Sequence, residues 1–232
     1  MTPAATPHAI VVDAVSVERN GVRVLESVTT TVDAHRVAVI GANGSGKSTF
    51  ARLLNGLITP SSGSVRVAGL DPARQARKVR ELVAFLFTNP ESQIIMPTVA
   101  EDVAFSLRGS GLPREEVSRR VIGILSDYGL DGLADRSAHE LSGGQKQLLA
   151  LCSGLVREPQ ILVADEPTTL LDAANTRRVS DALVALPQRL VVVTHDLVLA
   201  ARCDTALLFD RGRLIAQGDP AEVVARYERE FC

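Results

Sequence analysis

The chain has 232 residues, and its 25 Lys and Arg against 27 Asp and Glu give a formal net charge of −2. This balance is not that of a protein that binds nucleic acid through a strongly basic surface. Hydrophobic residues make up 46% and charged residues 22%, which excludes general disorder and predicts one compact unit. The three cysteines are far apart and include no C-x-x-C pair, so we expect neither a disulfide framework nor a thiolate zinc site, and a reducing, cytosolic compartment is favoured.

The apolar runs and the N-terminus give no sign of membrane insertion or secretion. The longest runs, such as 37–40 and 190–193, are far shorter than the roughly 20 residues that span a bilayer. Residues 1–9 lack the basic and apolar regions of a signal peptide and are predicted to be a flexible tail. The folded domain is therefore expected over 10–230.

The first predicted element is an antiparallel hairpin. β-Branched and polar residues alternate from Ile10 to Val32 around Asn20-Gly21, a dipeptide typical of hairpin turns. Buried parallel strands are predicted where short apolar runs occur, at 36–40, 161–164 and 190–193. Helical patterns alternate with these strands, at 47–57, 145–156 and 173–186. This alternation predicts a doubly wound α/β fold.

The middle of the chain is predicted to be helical. Segments 98–107 and 114–128 and the helix after Ser142 follow one another without an intervening strand, which predicts a helical subdomain inserted at about 90–157. The chain is then predicted to end in a hairpin, 205–209 with 213–217, and a short amphipathic helix from Ala221.

A glycine-rich loop follows the first buried strand. Its sequence matches G-x-x-x-x-G-K-[ST] between a strand and a helix, where backbone N–H groups and the helix N-terminus bind phosphates. Lys47 is expected to reach the β- and γ-phosphates, Ser48 to bind Mg²⁺, and Thr49 to contact the α-phosphate. The alternative is a glycine-rich turn with an incidental lysine, which the flanking strand and helix disfavour. The predicted nucleotide-binding residues are Gly41, Ala42, Asn43, Gly44, Ser45, Gly46, Lys47, Ser48 and Thr49.

Two further strand ends carry polar residues. One apolar strand is followed directly by Asp165 and Glu166, and ligands of open α/β sheets bind at such strand ends. We expect Asp165 to hold Mg²⁺ and Glu166 to polarise the water that attacks the γ-phosphate. His195 follows the next strand and is expected beside the γ-phosphate, although an isolated histidine is more often a surface residue. Lys47, Glu166 and His195 are the predicted catalytic residues.

A second glycine-rich loop begins a later helix. Ser142 stands where an N-cap is expected, and the loop forms a second anion site. The loop consists of Leu141, Ser142, Gly143, Gly144 and Gln145. With the preceding motifs, it resembles the LSGGQ signature of the ATP-binding-cassette (ABC) ATPases, and the resemblance covers essentially the whole chain. It implies a P-loop NTPase core, an N-terminal antiparallel β subdomain, an inserted helical subdomain, ATP and Mg²⁺ as ligands, and hydrolysis of ATP.

The remaining motifs of this family also have counterparts. By resemblance, the D-loop falls on 169–172 with its aspartate at Asp172, and the switch histidine falls on His195. The resemblance implies that two such domains bind two ATPs head to tail, either as two copies or as this chain and a sibling. Each signature loop would contact the γ-phosphate bound by the partner, so that ATP closes the dimer and hydrolysis opens it.

Two of the departures from the family pattern concern the binding of adenine and Mg²⁺. Arg19 stands where an aromatic residue commonly stacks on adenine; we predict that its guanidinium stacks there instead, the alternative being a solvent-facing arginine. Thr88 stands where the Q-loop glutamine usually contacts Mg²⁺, and its side chain is too short to reach as far. Whether the nearby Gln93 substitutes stays open, so a metal contact from this loop is in doubt.

Residues 89–105 resemble a segment of the ATPases of energy-coupling-factor transporters, which import vitamins, cobalt or nickel. The resemblance implies a peripheral ATPase on the cytoplasmic face of the cell membrane, bound to a transmembrane coupling protein that holds a substrate-binding membrane component. A groove near Ile94, Ile95 and Met96 is expected to receive a helix of the coupling protein, unless these residues pack only in the core. The compact chain is similar to the ATPases of biotin importers, so biotin is favoured over cobalt or nickel.

Two other functions compete with the transport prediction. A soluble ABC ATPase acting on DNA or ribosomes would usually show two cassettes, a coiled-coil insertion or a basic face, none of which this sequence has. We therefore expect no nucleic-acid partner. A P-loop kinase would explain neither residues 141–145 nor His195.

Overall fold

The computed structural model of the chain describes residues 9–231. Its strands are β1 (Ile10–Arg19), β2 (Val22–Val32), β3 (Arg36–Gly41), β4 (Ser62–Val67), β5 (Val83–Leu86), β6 (Ile161–Asp165), β7 (Arg189–Val193), β8 (Thr205–Asp210) and β9 (Arg213–Gly218). Its α-helices are α1 (Lys47–Leu54), α2 (Ala76–Leu82), α3 (Val99–Phe105), α4 (Arg114–Asp127), α5 (Gly143–Leu155), α6 (Ala173–Val184), α7 (Leu197–Ala200) and α8 (Pro220–Phe231).

The strands form two sheets. In the first sheet, β1 and β2 make the predicted hairpin, and β4 pairs antiparallel with the other edge of β1. The second sheet has the order β5-β6-β7-β3-β8-β9, in which the first five strands are parallel and β9 returns antiparallel beside β8. The predicted α/β class, with a parallel sheet and N-terminal antiparallel strands, is confirmed. Because β6, β7 and β3 are neighbours, their carboxyl ends meet at one edge.

Alternate residues of the central strands face two different hydrophobic cores. In β3, Val37 and Val39 pack in a core with α1 and the antiparallel sheet, whereas Ala38 and Ile40 pack in a core with the helices on the other face. Side chains of a strand alternate between its two faces, so a strand covered on both sides is apolar at every position. This requirement explains the uninterrupted apolar runs that the sequence shows.

The chain between β5 and β6 is helical. Helices α3, α4 and α5 follow one another there, and residues 87–160, all within the described range, contain no named strand. Leu125, Leu130 and Leu148 are fully buried where these helices meet. The bounds of about 90–157 for a helical subdomain stay a prediction.

The sequence does not predict β4, α2 or β5. Strand β4 begins with Ser62, Gly63 and Ser64, and only Val65 and Val67 of its residues are buried, so its apolar signal is short. Strand β5 has four residues and follows α2 directly, without the Gly or Pro that usually separates elements. Partners far along the chain stabilise both strands, since β4 pairs with β1 and β5 pairs with β6.

The two ends of the described chain pack on the rest of the fold. The predicted tail at residues 1–9 lies outside the described residues except for Ala9, which is buried and whose carbonyl accepts a hydrogen bond from the Ala68 N–H at 3.2 Å. At the other end, α8 begins at Pro220, one residue before the predicted start, and buries Val223. No helix within residues 9–231 is long and apolar enough to cross a bilayer.

Candidate functional site

The glycine-rich loop connects β3 to α1 and folds around the Lys47 amine. Lys47 Nζ donates hydrogen bonds to the carbonyls of Gly41 at 2.7 Å and Ala42 at 2.9 Å. Lys47 is buried, and this burial lowers the pKa of its ammonium group. The Ser45 hydroxyl is also buried but has no hydrogen-bond partner among the described residues. An unpaired buried hydroxyl beside a buried ammonium group fits an anionic ligand, because each would gain a partner.

Neighbouring elements hold this loop in place. Gly46 has a φ of 102°, and a Cβ there would lie 2.6 Å from Leu25 Cδ2 of the N-terminal hairpin. Gly212, in the turn between β8 and β9, donates its N–H to the Ser45 carbonyl at 3.0 Å.

Arg19 is exposed at the end of β1, in the same hairpin that packs against the loop. Its stacking on adenine stays a prediction.

Ser48 and Asp165 form the candidate metal site. Ser48 Oγ donates to Asp165 Oδ1 at 2.7 Å, and Arg52 Nη2 lies 3.5 Å from Asp165 Oδ2. Burial raises the pKa of Asp165, although the Ser48 hydrogen bond opposes that rise. A hydroxyl and a carboxylate are hard oxygen donors of the kind that Mg²⁺ prefers, so the pair fits this ion together with phosphate oxygens. Within residues 9–231, no group of three or more His, Cys, Asp and Glu offers another metal site.

Glu166 and His195 form the second polar pair of this sheet edge. His195 Nδ1 lies 2.7 Å from Glu166 Oε2, which also accepts hydrogen bonds from the Thr169 hydroxyl at 3.1 Å and the His195 N–H at 3.3 Å. Glu166 has a φ of 53°, a left-handed conformation that costs a non-glycine residue roughly 1–3 kcal/mol. Its side chain is 15% exposed and that of His195 is 56% exposed. The carboxylate is thus held in one orientation at the edge of the site.

The loop after β5 contacts the backbone of the site through the Thr88 side chain. The Thr88 hydroxyl donates to the Asp165 carbonyl at 2.8 Å. Gln93 accepts a hydrogen bond from the Phe87 N–H at 2.7 Å and donates to the Phe85 carbonyl at 3.1 Å. Both ends of the Gln93 amide are thus bonded to the backbone of Phe85, in β5, and of Phe87, and neither is bonded to Ser48 or Asp165.

The second glycine-rich loop caps α5. Ser142 Oγ accepts a hydrogen bond from the Gln145 N–H, and the Gln145 side chain accepts one from the Ser142 N–H, which completes a capping box. Gly143 and Gly144 lie in the first turn of α5 and have no positive φ. Space, rather than backbone conformation, requires glycine at 144, because a Cβ there would overlap the Asn175 side chain. Ser142 and Gly143 are exposed.

Asp172 begins α6 as its N-cap. Asp172 Oδ1 accepts the Asn175 N–H at 2.8 Å, and Oδ2 accepts the Asn175 side-chain amide at 3.0 Å. These hydrogen bonds, the Asn175 N–H first among them, lower the pKa of Asp172.

The structure brings most of the predicted site residues to one sheet edge, but not all. Lys47, Ser48, Asp165, Glu166 and His195 surround the carboxyl ends of β3, β6 and β7. The signature loop is separate: among the described residues, no hydrogen bond or ion pair joins 141–145 to 41–49. The two predicted phosphate-binding loops of one chain therefore do not form one site by themselves.

Two residues of the site were not predicted from the sequence. Arg52 lies four positions after Ser48 on α1, and this helical spacing is a signal that could have placed both beside Asp165. Asn175 gives no signal in the sequence, because its role depends on contact with Gly144, which lies in another helix.

Comparison with known sequences identifies relatives of this chain. A profile of the ABC transporter family matches residues 25–169. The biotin transport ATP-binding protein BioM of Rhizobium etli is 48% identical over 208 residues, which cover 89% of this chain and 92% of that protein. The energy-coupling factor transporter ATP-binding protein EcfA1 of Bacillus licheniformis is 40% identical over 192 residues, which cover 81% of this chain and 68% of that protein.

A solved structure has the same fold. It is cbiO1 from Clostridium perfringens, described as part of the ABC transporter complex cbiONQ. The TM-score is 0.86 and the identity 31%, with 96% of this chain and 92% of that chain covered. The sequence relatives, the fold and the geometry of the strand ends agree, and the chain belongs to the ABC transporter family, as an ATP-binding and ATP-hydrolysing subunit.

Proposed function

We propose that this chain is the ATP-hydrolysing subunit of a membrane importer of the energy-coupling-factor class, and that residues 10–230 are its ATPase domain. One observation supports the proposal that two ATPase subunits act together as a dimer. Ser142 and Gly143 of the signature loop are exposed, and the loop has no hydrogen bond to the phosphate loop of its own chain, which supports a phosphate ligand held by a second ATPase subunit. That subunit is a second copy or a related cassette.

Each site residue then has a defined task in hydrolysis. Lys47 exchanges its bonds to the Gly41 and Ala42 carbonyls for bonds to the β- and γ-phosphate oxygens of ATP. Ser48 and Asp165 hold Mg²⁺, which when bound neutralises negative charge on the phosphates. The roles of the remaining loop residues, 41–46 and Thr49, are to bind the phosphates through N–H groups and a hydroxyl.

Glu166 acts as the general base. Its carboxylate accepts a proton from the water that attacks the γ-phosphate, and the hydrogen bonds from His195 and Thr169 keep Oε2 in position. Because the chain itself supplies these hydrogen bonds, hydrolysis requires less reorganisation of the carboxylate. His195, being more than half exposed, is also able to contact a phosphate oxygen.

Exposed apolar residues beside the site support dimer formation on this face. Leu170 is 64% exposed and lies in the D-loop, between Glu166 and Asp172. Val198 is 75% exposed and lies three residues after His195. Burying such side chains against a partner is favourable, by about 1.5–3 kcal/mol for each side chain that is fully covered. Closing two subunits over two ATPs would remove both from water.

A helix of the transmembrane coupling protein is the proposed partner of a second surface. A cavity of about 240 Å³ lies next to the loop after β5, and Leu57, Phe85 and Phe87 line its apolar part. The cavity is not lined by Ile94, Ile95 or Met96, but Ile95, in the segment that resembles the energy-coupling-factor ATPases, is 66% exposed and offers a separate apolar contact. A groove with apolar anchors of this kind suits an amphipathic helix. Binding there would hold the subunit on the cytoplasmic face of the membrane.

Biotin is the favoured cargo, because BioM of Rhizobium etli, a biotin transport protein by name, is 48% identical to this chain. Cobalt or nickel is the second candidate. The soluble ABC ATPase acting on DNA or ribosomes is the alternative function, which the net charge of −2 disfavours.

Purification from membranes tests the proposal. The tagged full-length chain is isolated from detergent-solubilised membranes, and we expect two membrane proteins to co-purify and the assembly to retain radiolabelled biotin rather than cobalt or nickel. Ile95→Glu should reduce recovery of the coupling protein, whereas Ile122→Glu, at a residue equally exposed on α4, should not. Recovery of ribosomes or DNA without a membrane protein would contradict the proposal.

A further inference from the structure

One face of α6 joins the D-loop to the helical part of the chain. Asn175 and Arg178 are three residues apart and therefore lie on the same side of the helix. Asn175 faces Gly144 of the signature loop, and Arg178 faces the C-terminal end of α4. The same helix begins at Asp172, the D-loop aspartate. Over little more than its first turn and a half, helix α6 thus joins the D-loop, which directly precedes it, to two segments that lie earlier in the chain.

Asn175 fits tightly between the signature loop and the D-loop. Its Cβ lies only 2.9 Å from where a Cβ on Gly144 would stand, and its Cγ and Oδ1 are closer still. The same side chain donates its amide to Asp172 Oδ2 at 3.0 Å. Gly144 is buried and Asp172 is exposed, so Asn175 connects an internal point of α5 to a residue on the surface. A side chain held on both sides cannot let one loop shift without moving the other.

Arg178 adds a second attachment to the helical part of the chain. Its Nη2 donates a hydrogen bond to the Tyr128 carbonyl at 2.8 Å, just after α4 ends. A guanidinium at a helix C-terminus is favourable, because it satisfies a free carbonyl and opposes the helix dipole. Arg177, the residue before it, is exposed.

We infer that Asn175 is a positioning residue that keeps the signature loop and the D-loop in a fixed relation, so that the signature loop is presented to the partner's ATP in the correct place. This inference rests on the proposed dimer, in which residues 141–145 contact the γ-phosphate bound by the second subunit. Asn175 touches neither the phosphate loop nor Glu166 of its own chain in the described hydrogen bonds. Its loss should therefore spare the binding of ATP to a monomer and weaken closure of the dimer.

The test uses the full chain in a Glu166→Gln background, which slows hydrolysis and keeps ATP bound. The fraction of dimer is measured by light scattering as ATP is increased, and the affinity of the monomer for ATP is measured separately. Asn175→Ala is expected to weaken ATP-driven dimerisation by roughly tenfold, the size expected when one or two such contacts are lost. Monomer affinity for ATP and the melting temperature should change little.

Matched variants separate positioning from helix stability. Arg177→Ala changes an exposed residue on the same turn of α6 and should dimerise as the background does. Asn175→Asp keeps the shape of the side chain but cannot donate to Asp172, and should also weaken dimerisation. If Asn175→Ala proves unstable, Asn175→Asp carries the same expectation by itself.

The outcomes are distinguishable. Dimerisation of Asn175→Ala and Asn175→Asp at the ATP concentration that suffices for the background would overturn the inference and leave the proposed function intact. An equal loss in Arg177→Ala would also overturn it, because the effect would then belong to the helix as a whole. If the Glu166→Gln chain itself stays monomeric with ATP, the proposed dimer of two copies fails, and the inference fails with it.

Discussion

The two predicted phosphate-binding loops of this chain differ in how completely the chain itself surrounds them. At the first loop, Lys47 binds two carbonyls, Ser48 binds Asp165, and Glu166 accepts three hydrogen bonds. At the second loop, Ser142 and Gly143 are exposed. The side chains of Ser142 and Gln145 accept hydrogen bonds from each other's backbone N–H groups in the capping box.

This difference separates two steps of the reaction. A nucleotide can bind to the first loop of a single chain, because lysine, serine and the loop N–H groups are already assembled there. In the proposed dimer, hydrolysis also requires the second loop, which the partner supplies. Binding of ATP should therefore be a property of the monomer and turnover a property of the dimer, and the following changes test that division.

The largest expected effect is that of Glu166→Gln. Removing the base should lower kcat by about 10²- to 10⁴-fold, while ATP still binds, because the amide cannot accept the proton from water. A phosphate-release assay and an equilibrium binding assay together measure both quantities. Glu115→Gln, at an exposed glutamate on α4, is the control. Full turnover by Glu166→Gln would refute the assignment of the base.

Lys47→Ala should also abolish turnover, but by weakening the binding of ATP. Loss of charge-assisted bonds to the phosphates is expected to weaken ATP binding by roughly 10- to 100-fold, so this variant, unlike Glu166→Gln, should not hold ATP. Isothermal titration with ATP under Mg²⁺ measures the change, and Lys78→Ala on the exposed side of α2 is the control. Unchanged affinity would show that the lysine does not contact the phosphates.

Ser142→Arg tests the exposed loop alone. A bulky cation at the N-cap of α5 removes the capping hydroxyl and opposes the helix dipole at the point that the partner must approach. ATP-driven dimerisation should weaken at least about tenfold, since a lost hydrogen bond and a steric conflict combine, while monomer binding of ATP stays nearly intact. Dimerisation that equals the wild type in analytical ultracentrifugation would contradict the role of the loop.

The smallest effect is expected at Thr88. Thr88→Val keeps the shape of the side chain but removes the hydrogen bond to the Asp165 carbonyl, which is worth about 1 kcal/mol of stability. Urea unfolding measures this loss. Because Thr88 contacts the backbone of Asp165 rather than its carboxylate, the dependence of ATP binding on Mg²⁺ should hardly change; a large change would mean that Thr88 contributes to the metal site.

The sequence predicts the phosphate loop and the strand-end carboxylates well, because each of these motifs can be recognised from consecutive residues. Residues 41–48 combine a strand, a glycine-rich turn and a helix start, and Asp165 and Glu166 directly follow an apolar strand. The order of the strands then brings these segments together without further information. The hairpin, the parallel strands and the inserted helices have equally local patterns.

The sequence does not predict features that depend on distant partners. Strand β4 and strand β5 are short and form because β1 and β6 offer open edges. The need for glycine at Gly144 comes from Asn175, on a different helix, rather than from a turn. The hydrogen bonds from the Gln93 amide to the backbone of Phe85 and Phe87 also have no signal in the sequence pattern.

The most direct test of the account is the mass of the Glu166→Gln chain in solution with saturating ATP and Mg²⁺. We expect light scattering to report a dimer with ATP and a monomer with ADP, because the γ-phosphate is what the signature loop of the partner binds. A sibling cassette, if it is the natural partner, should be added in equal amount. Monomers at saturating ATP, together with normal hydrolysis by the unmodified chain under the same conditions, would contradict the account.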